Sequence, residues 1–152
     1  MLRNFLIYPA TAFLILMLAA TVYLYTGNKA KAVPDITISS VSLRLPAPGQ
    51  TTAAVYFEIL NAGGADELLS ASSPVSANVE LHNHVHENGI MKMRKLESLK
   101  IRGLQTTFFK PGGLHVMLFD FSIPANTTAI PLTLHFVRTG DVRVIAIIET
   151  QT

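Results

Sequence analysis

The chain has 152 residues, with 12 lysine and arginine residues against 10 aspartate and glutamate residues, and it has no cysteine. Without cysteine, disulfides, thiolate metal sites and thiol catalysis are excluded, and a near-neutral charge with no basic run interleaved with aromatic residues argues against nucleic acid as a partner. The five histidines and five methionines are the soft or borderline metal ligands that remain.

The chain opens with an apolar stretch, since residues 4–28 carry no charged side chain. Such a run is long enough to cross a bilayer, which takes about 20 apolar residues, and Arg3 supplies a short positive flank. Its length exceeds the roughly 7 to 15 residues of a signal-peptide core and favours a retained anchor, while the small-x-small sequence at residues 30–32 leaves cleavage open. We expect residues 1–32 to be a membrane anchor or export signal and residues 33–152 to be one domain.

The remaining sequence alternates short β-type runs with turn residues, which predicts an all-β sandwich or barrel without further helices. Two runs have an apolar face that can line a core, Val55, Phe57 and Ile59 in one and Ile130, Leu132, Leu134 and Phe136 in the other. The strands are predicted at 36–45, 52–60, 66–71, 78–86, 90–95, 106–109, 114–121, 129–137 and 142–148.

The segment at residues 81–94, LHNHVHENGIMKMR, carries the first cluster of candidate ligands. Asn88-Gly89 between two β-type runs is a strong hairpin signal, because a type I′ turn needs positive φ at both central residues. A two-residue loop pairs Glu87 with Ile90, and the alternation of side chains then directs one set of potential ligands to a single face. That set is His82, His84, His86, Met91 and Met93.

A second cluster follows at His115 and Met117, whose i, i+2 spacing on a strand directs both side chains to one side. Imidazoles combined with soft, neutral thioethers favour Cu(I), whereas zinc would favour thiolate, imidazole or carboxylate. Thioethers have no proton to lose and form no disulfide, so this ligand set suits an oxidising compartment outside the cytoplasm.

The spacing of His82, Met93, His115 and Met117 resembles the H-x10-M-x21-H-x-M motif of the PCuAC family of periplasmic copper chaperones. The similarity extends over most of residues 36–148 and includes the sequences AVYF at 54–57, VELH at 79–82, MKMR at 91–94 and KPGGLHVML at 110–118.

The resemblance implies a cupredoxin-like Greek-key β-sandwich that binds one Cu(I) through those four side chains. It also implies delivery of copper toward the CuA centre of cytochrome c oxidase, with a Sco protein or the CuA domain itself as acceptor. Family members often carry Met at the position of His86. Some members also carry a His/Met-rich tail, and Cu(II) binding by such a tail is not expected from this sequence.

The histidines and methionines are also consistent with other interpretations. His84, His86 and Met91 are possible auxiliary ligands, and His82, His84, His86 and His115 could instead form a zinc or Cu(II) site. A membrane-tethered structural or adhesion sandwich with an incidental His/Met cluster is a further alternative. An enzyme is not expected, because no nucleophile and base stand at a recognisable spacing, and His135 is expected to point outward from its strand.

Overall fold

The computed structural model describes residues 7–47, 49–87 and 89–149. Two compact units are present, Met1–Ala32 and Val33–Thr152. Arg3 and Asn88, on which parts of the sequence interpretation rest, lie outside the described residues.

Helix α1, Ile7–Lys31, is the expected N-terminal helix. Within the described part of the chain, no helix combines the length and the apolar character that crossing a bilayer requires.

All nine predicted strands are present in the second unit, and the expected all-β sandwich is confirmed. The additional strand, β6, has only three residues and was not predicted. The ten strands in the described residues are β1 Ile36–Arg44, β2 Ala53–Asn61, β3 Asp66–Ser72, β4 Asn78–Glu87, β5 Ile90–Leu96, β6 Leu99–Ile101, β7 Gln105–Phe109, β8 His115–Phe119, β9 Ala129–Phe136 and β10 Gly140–Ile148.

Hydrogen bonds join the strands in the order β5-β4-β8-β2-β1-β10-β9-β3-β6, and β7 also pairs with β2. Strand β1 pairs antiparallel with β2 and parallel with β10. A register shift between Ser39 and Ser42, where Ser40 has a φ of 54°, separates the two parts of its pairing with β2. Such a shift bends a strand and increases its twist, which helps the sheet close over its core.

One hydrophobic core fills the sandwich, and alternation along the strands decides which side chains enter it. In β2 the predicted set Val55, Phe57 and Ile59 is buried, while Tyr56 and Glu58 project from the other face. The predicted set in β9 is also buried. In β2 and β9 the core side chains therefore occupy one face of the strand, and the opposite face carries the more exposed side chains.

Strands β7 and β8 share one edge of β2, because β7 pairs with its second half and β8 with its first half. The turn at 110–113 lies between them, and β8 begins directly after it. β4 then pairs with the other edge of β8, and β5 with β4. This arrangement places both His/Met segments of the sequence on adjacent strands.

Candidate metal centre

The register of the β4–β5 hairpin is the one predicted from the sequence. Glu87 pairs with Ile90, His86 with Met91 and His84 with Met93. Gly89 has a φ of 78°, the left-handed conformation that a tight turn requires. His82, His84, His86, Met91 and Met93 therefore share one face of the hairpin.

Strand β8 adds its two candidate ligands to the same face. His82 lies directly opposite His115, and Met117 lies opposite Glu80. The ring centroids of His82 and His115 are 5.8 Å apart. Met117 and Met93 are both diagonal neighbours of His82, at about 7 to 8 Å between backbones, which is within reach of a long thioether side chain.

His115 is the most enclosed member of the cluster, with 3% of its surface exposed. Its Nδ1 lies 2.9 Å from the carbonyl oxygen of Gly113. Because a carbonyl only accepts, Nδ1 carries the proton and Nε2 keeps its lone pair. Burial lowers the pKa of His115 and nearby His84 and His82 lower it further, against the opposing effect of the Gly113 hydrogen bond, so the neutral form that binds metals is favoured.

The Gly113 carbonyl has a second donor, the backbone N–H of His84, at 3.3 Å. The Pro111-Gly112-Gly113 turn is thus tied to β4 as well as to the His115 ring. A Cβ at Gly113 would meet nothing closer than 3.6 Å, whereas Gly112 has a φ of +74°. The geometry of this turn, more than the absence of a side chain at position 113, fixes how β8 enters the site.

His82 is held by a carboxylate that the sequence interpretation did not single out. Its Nε2 lies 2.9 Å from Oε2 of Glu80, and Oε1 of Glu80 accepts a hydrogen bond from Nζ of Lys95, also at 2.9 Å. These two hydrogen bonds, from His82 and then from Lys95, lower the pKa of Glu80. The other ring nitrogen of His82, Nδ1, is buried and has no hydrogen-bond partner.

The predicted auxiliary residues divide into two positions along the hairpin. The His84 ring stacks on His115 with a centroid separation of 5.0 Å, and its Nδ1 is also buried without a partner. His86 and Met91 lie two residues further toward the turn, and position 86 is about 13 Å from position 82 along the strand. His86 and Met91 are therefore distant from the His82–His115 pair.

No three histidine, aspartate or glutamate side chains among the described residues are grouped so that they could hold a metal ion. His84 stacks on His115, and the strand register places Met93 and Met117 diagonal to His82 on the same face of the sheet. Met93 is 45% exposed, so this side of the cluster can be reached from solvent. The arrangement suits a soft monovalent ion bound close to the surface.

An aromatic and basic pair borders the cluster on the side of β2. The Tyr56 ring lies 6.4 Å from the His115 ring, and the guanidinium carbon of Arg44 lies 5.6 Å from the centroid of Tyr56. Sequence reasoning missed both residues and also Glu80. The signal available for Glu80 was its position two residues before His82, which in a strand places it on the same face.

His135 points outward from β9, as expected, but it is not isolated. Its Nε2 lies 2.8 Å from the Ser72 hydroxyl and its Nδ1 lies 2.7 Å from a carboxylate oxygen of Asp141. No sequence spacing predicts that these three residues meet, because they stand on three different strands. Asp141 is 62% exposed, so water competes for its hydrogen bond, and the set acts as a cross-strand polar network on an open sheet face.

Known proteins resemble this chain in sequence and in fold. The family model LpqE-like, described as "Putative lipoprotein LpqE-like", matches residues 36–148. An uncharacterized protein of Rickettsia prowazekii is 31% identical over 78 residues, which cover 50% of this chain and 43% of that protein. A "Putative lipoprotein" of Leifsonia xyli subsp. xyli is 28% identical over 109 residues, covering 70% of this chain and 64% of the relative. The matches therefore span less than two thirds of either relative.

Solved structures of similar fold include PCuAC domains. The copper-bound PCuAC domain from PmoF2 is 27% identical, with a TM-score of 0.64 over 78% of this chain and 96% of that domain. The solution structure of the Cu(I) form of DR1885 from Deinococcus radiodurans has a TM-score of 0.63 at 22% identity, covering 82% of this chain and 85% of that one, and shows the shared fold alone. The resemblance to the PCuAC family drawn from the sequence motif is confirmed.

Proposed function

The chain belongs to the LpqE-like family, and we propose that it is an extracytoplasmic copper carrier that binds one Cu(I) ion through His82, Met93, His115 and Met117. The observation that carries this proposal is the strand register, which places two histidines and two methionines next to one another on the outer face of β4, β5 and β8. Nδ1 of His82 and Nε2 of His115 are the ring nitrogens that take no part in the hydrogen bonds to Glu80 and Gly113.

Copper is the cargo in this proposal, and the protein supplies binding without a chemical step. All four donors are neutral, so they hold Cu(I) less tightly than a thiolate cage would. The ion can then pass to a thiolate-containing acceptor, and we propose a Sco protein or the CuA domain of cytochrome c oxidase as that acceptor. The exposed thioether of Met93 marks the side from which an acceptor ligand can approach.

We propose that the N-terminal segment directs the domain out of the cytoplasm. Two observations support this location: a relative in Leifsonia xyli is described as a lipoprotein, and thioether ligands keep their function in an oxidising compartment. Mass spectrometry of the mature N-terminus distinguishes a cleaved segment from a retained one. Recovery of the protein from the cytoplasmic fraction with its N-terminus intact would contradict the proposed location.

The binding proposal is tested by titrating the apoprotein with Cu(I) against a colorimetric Cu(I) chelator and by X-ray absorption on the loaded protein. We expect uptake of one ion per chain and a spectrum that contains both nitrogen and sulfur scatterers. Met93→Ala and Met117→Ala should each weaken Cu(I) binding and remove part of the sulfur signal without unfolding the domain. Transfer is followed by mixing the loaded protein with an apo CuA domain and recording the acceptor spectrum.

Two matched controls separate the site from its surroundings. Met91→Ala removes a thioether on the same face two residues further along β5, and His135→Ala removes an outward histidine from β9. Both variants should retain the wild-type Cu(I) affinity. A loaded protein with nitrogen scatterers alone would support the histidine-based zinc or Cu(II) site instead, and the absence of any stoichiometric uptake would support a structural or adhesion role.

A further inference from the structure

We infer that Glu80 is a positioning residue that makes Nδ1, not Nε2, the copper-binding nitrogen of His82. The inference rests on the proposed function and deepens it. Glu80 and His82 stand two residues apart on β4, so both project from the face that carries the proposed ligands. Their side chains meet at 2.9 Å between Oε2 of Glu80 and Nε2 of His82.

The chemistry of the carboxylate decides the tautomer of the ring. An ionised carboxylate can only accept a hydrogen bond, so the neutral His82 ring that binds a metal must carry its proton on Nε2. Its lone pair then lies on Nδ1. A histidine that ligates a metal commonly donates its other N–H to a carboxylate or carbonyl in this way, which fixes the ring orientation.

The surroundings of Nδ1 agree with this assignment. The atom is buried and lacks a hydrogen-bond partner, a costly condition for a polar atom unless something else satisfies it. His115 shows the opposite arrangement, because its Nδ1–H donates to Gly113 and leaves Nε2 free. The two proposed imidazole ligands would therefore bind one copper ion through different ring nitrogens.

Lys95 holds Glu80 in place from the neighbouring strand. It lies directly opposite His82 in the β4–β5 ladder and donates to Oε1 of Glu80 at 2.9 Å. The Glu80 carboxylate thus bonds both to His82, a proposed copper ligand, and to Lys95, a cation on the edge strand β5. Glu80 is largely enclosed, with 17% of its side chain exposed, whereas half of the Lys95 side chain is exposed.

Long-range proton–nitrogen NMR on uniformly ¹⁵N-labelled apoprotein above neutral pH measures the His82 tautomer directly. We expect His82 protonated on Nε2 and His115 protonated on Nδ1. Addition of Cu(I), which is diamagnetic, should shift Nδ1 of His82 and Nε2 of His115. Glu80→Ala should convert His82 to a mixture of tautomers, a change that a purely structural role of Glu80 would not produce.

Affinity measurements complete the test. Glu80→Ala should weaken Cu(I) binding about 10- to 100-fold, the usual effect of removing the hydrogen-bond partner of a metal-binding histidine. Glu80→Gln keeps an oxygen that accepts from Nε2–H and should lose less. Glu87→Ala is the matched control, because Glu87 is a salt-bridged glutamate of the same strand that pairs with Lys92 and Arg94, and it should keep the wild-type affinity.

The outcomes separate the inference from the proposed function. If His82 proves to be protonated on Nδ1, if copper shifts Nε2 of His82, or if Glu80→Ala leaves tautomer and affinity unchanged, the inference is overturned while copper binding stands. If the protein takes up no Cu(I), the proposed function fails and the coordination part of the inference fails with it. The apoprotein spectrum still decides whether Glu80 sets the tautomer.

Discussion

Asp66, at the start of β3, is a buried carboxylate whose removal should destabilise the domain. It is 6% exposed. Oδ1 accepts from the backbone N–H groups of Glu67 and Arg138 at 2.8 and 2.9 Å, and Oδ2 accepts from the N–H of Thr139 at 2.9 Å and from its hydroxyl. These bonds tie β3 to the β9–β10 turn.

Asp66→Asn keeps the shape of the side chain but replaces one oxygen by an NH₂ group. The remaining oxygen of the asparagine can still accept from the N–H groups of Glu67 and Arg138. Its NH₂ group then faces the N–H of Thr139, and because both groups are donors, the Thr139 N–H lacks an acceptor. An unsatisfied buried donor costs about 1 to 3 kcal/mol, equivalent to a fall in Tm of about 4 to 12 °C for a domain of this size. Asp141→Asn is the control, because its exposed carboxylate should contribute at most about 1 kcal/mol.

The effect should depend on pH in a defined direction. Burial acts to raise the pKa of Asp66, but the hydrogen bonds from Thr139, Glu67 and Arg138 outweigh it and hold the folded-state pKa below the ordinary value of 3.8. The stabilisation is therefore complete above the unfolded-state pKa and is lost as the pH falls through the folded-state pKa. The gap between the wild type and Asp66→Asn should be constant near neutral pH and close in acid.

Urea unfolding followed by circular dichroism, at neutral pH and in steps down to about pH 3, measures this gap. The reasoning is refuted if the two proteins have equal free energies of unfolding at neutral pH, or if the gap widens as the pH falls. A change in the slope against urea would show instead that the substitution altered the unfolded state or two-state behaviour.

Two further predictions concern the stability of the loops that connect the strands. Gly103→Ala would place a Cβ 2.5 Å from the Gly63 carbonyl oxygen, so thermal unfolding should show a loss of about 2 kcal/mol or more, whereas Gly113→Ala, with 3.6 Å of clearance, should be close to neutral. Asn61 is fully buried and joins three loop segments through four hydrogen bonds, so Asn61→Ala should cost about 2 to 4 kcal/mol in urea unfolding. The exposed Asn78→Ala should stay within about 0.5 kcal/mol of the wild type.

The hairpin register was predictable because it depends on local chemistry. Asn88-Gly89 requires a two-residue loop, and a loop of known length fixes every cross-strand pair of β4 and β5. The alternation of apolar residues likewise identified the buried faces of β2 and β9. Strand β6 was missed because a run of three residues is too short to show any periodicity.

The contacts between distant segments could not be read from the sequence. The pairing of His82 with His115 depends on β8 lying beside β4, and no local signal places two strands separated by a long stretch of chain next to each other. The contacts that set the two tautomers are local by comparison, because Glu80 and Gly113 each lie two residues before the histidine they contact. The spacing places each pair on one side of the chain, but only the folded structure shows which ring nitrogen is bonded. The family motif identified the residues of the cluster without their geometry.

Adjacent residues of β4 serve different purposes, because successive side chains of a strand point to opposite faces. One face packs in the core, and the other carries the proposed metal site. Leu81 is 3% exposed and packs in the hydrophobic core, while His82 projects from the other face toward His115. Most of the free energy of folding is gained on the core face, so substitution of an exposed proposed ligand such as Met93 leaves the core contacts intact. The same arrangement allows other positions on the outer face, such as His86, to change without loss of the sandwich. It also means that a weakened copper affinity in a ligand variant can be attributed to the site itself when its free energy of unfolding is unchanged.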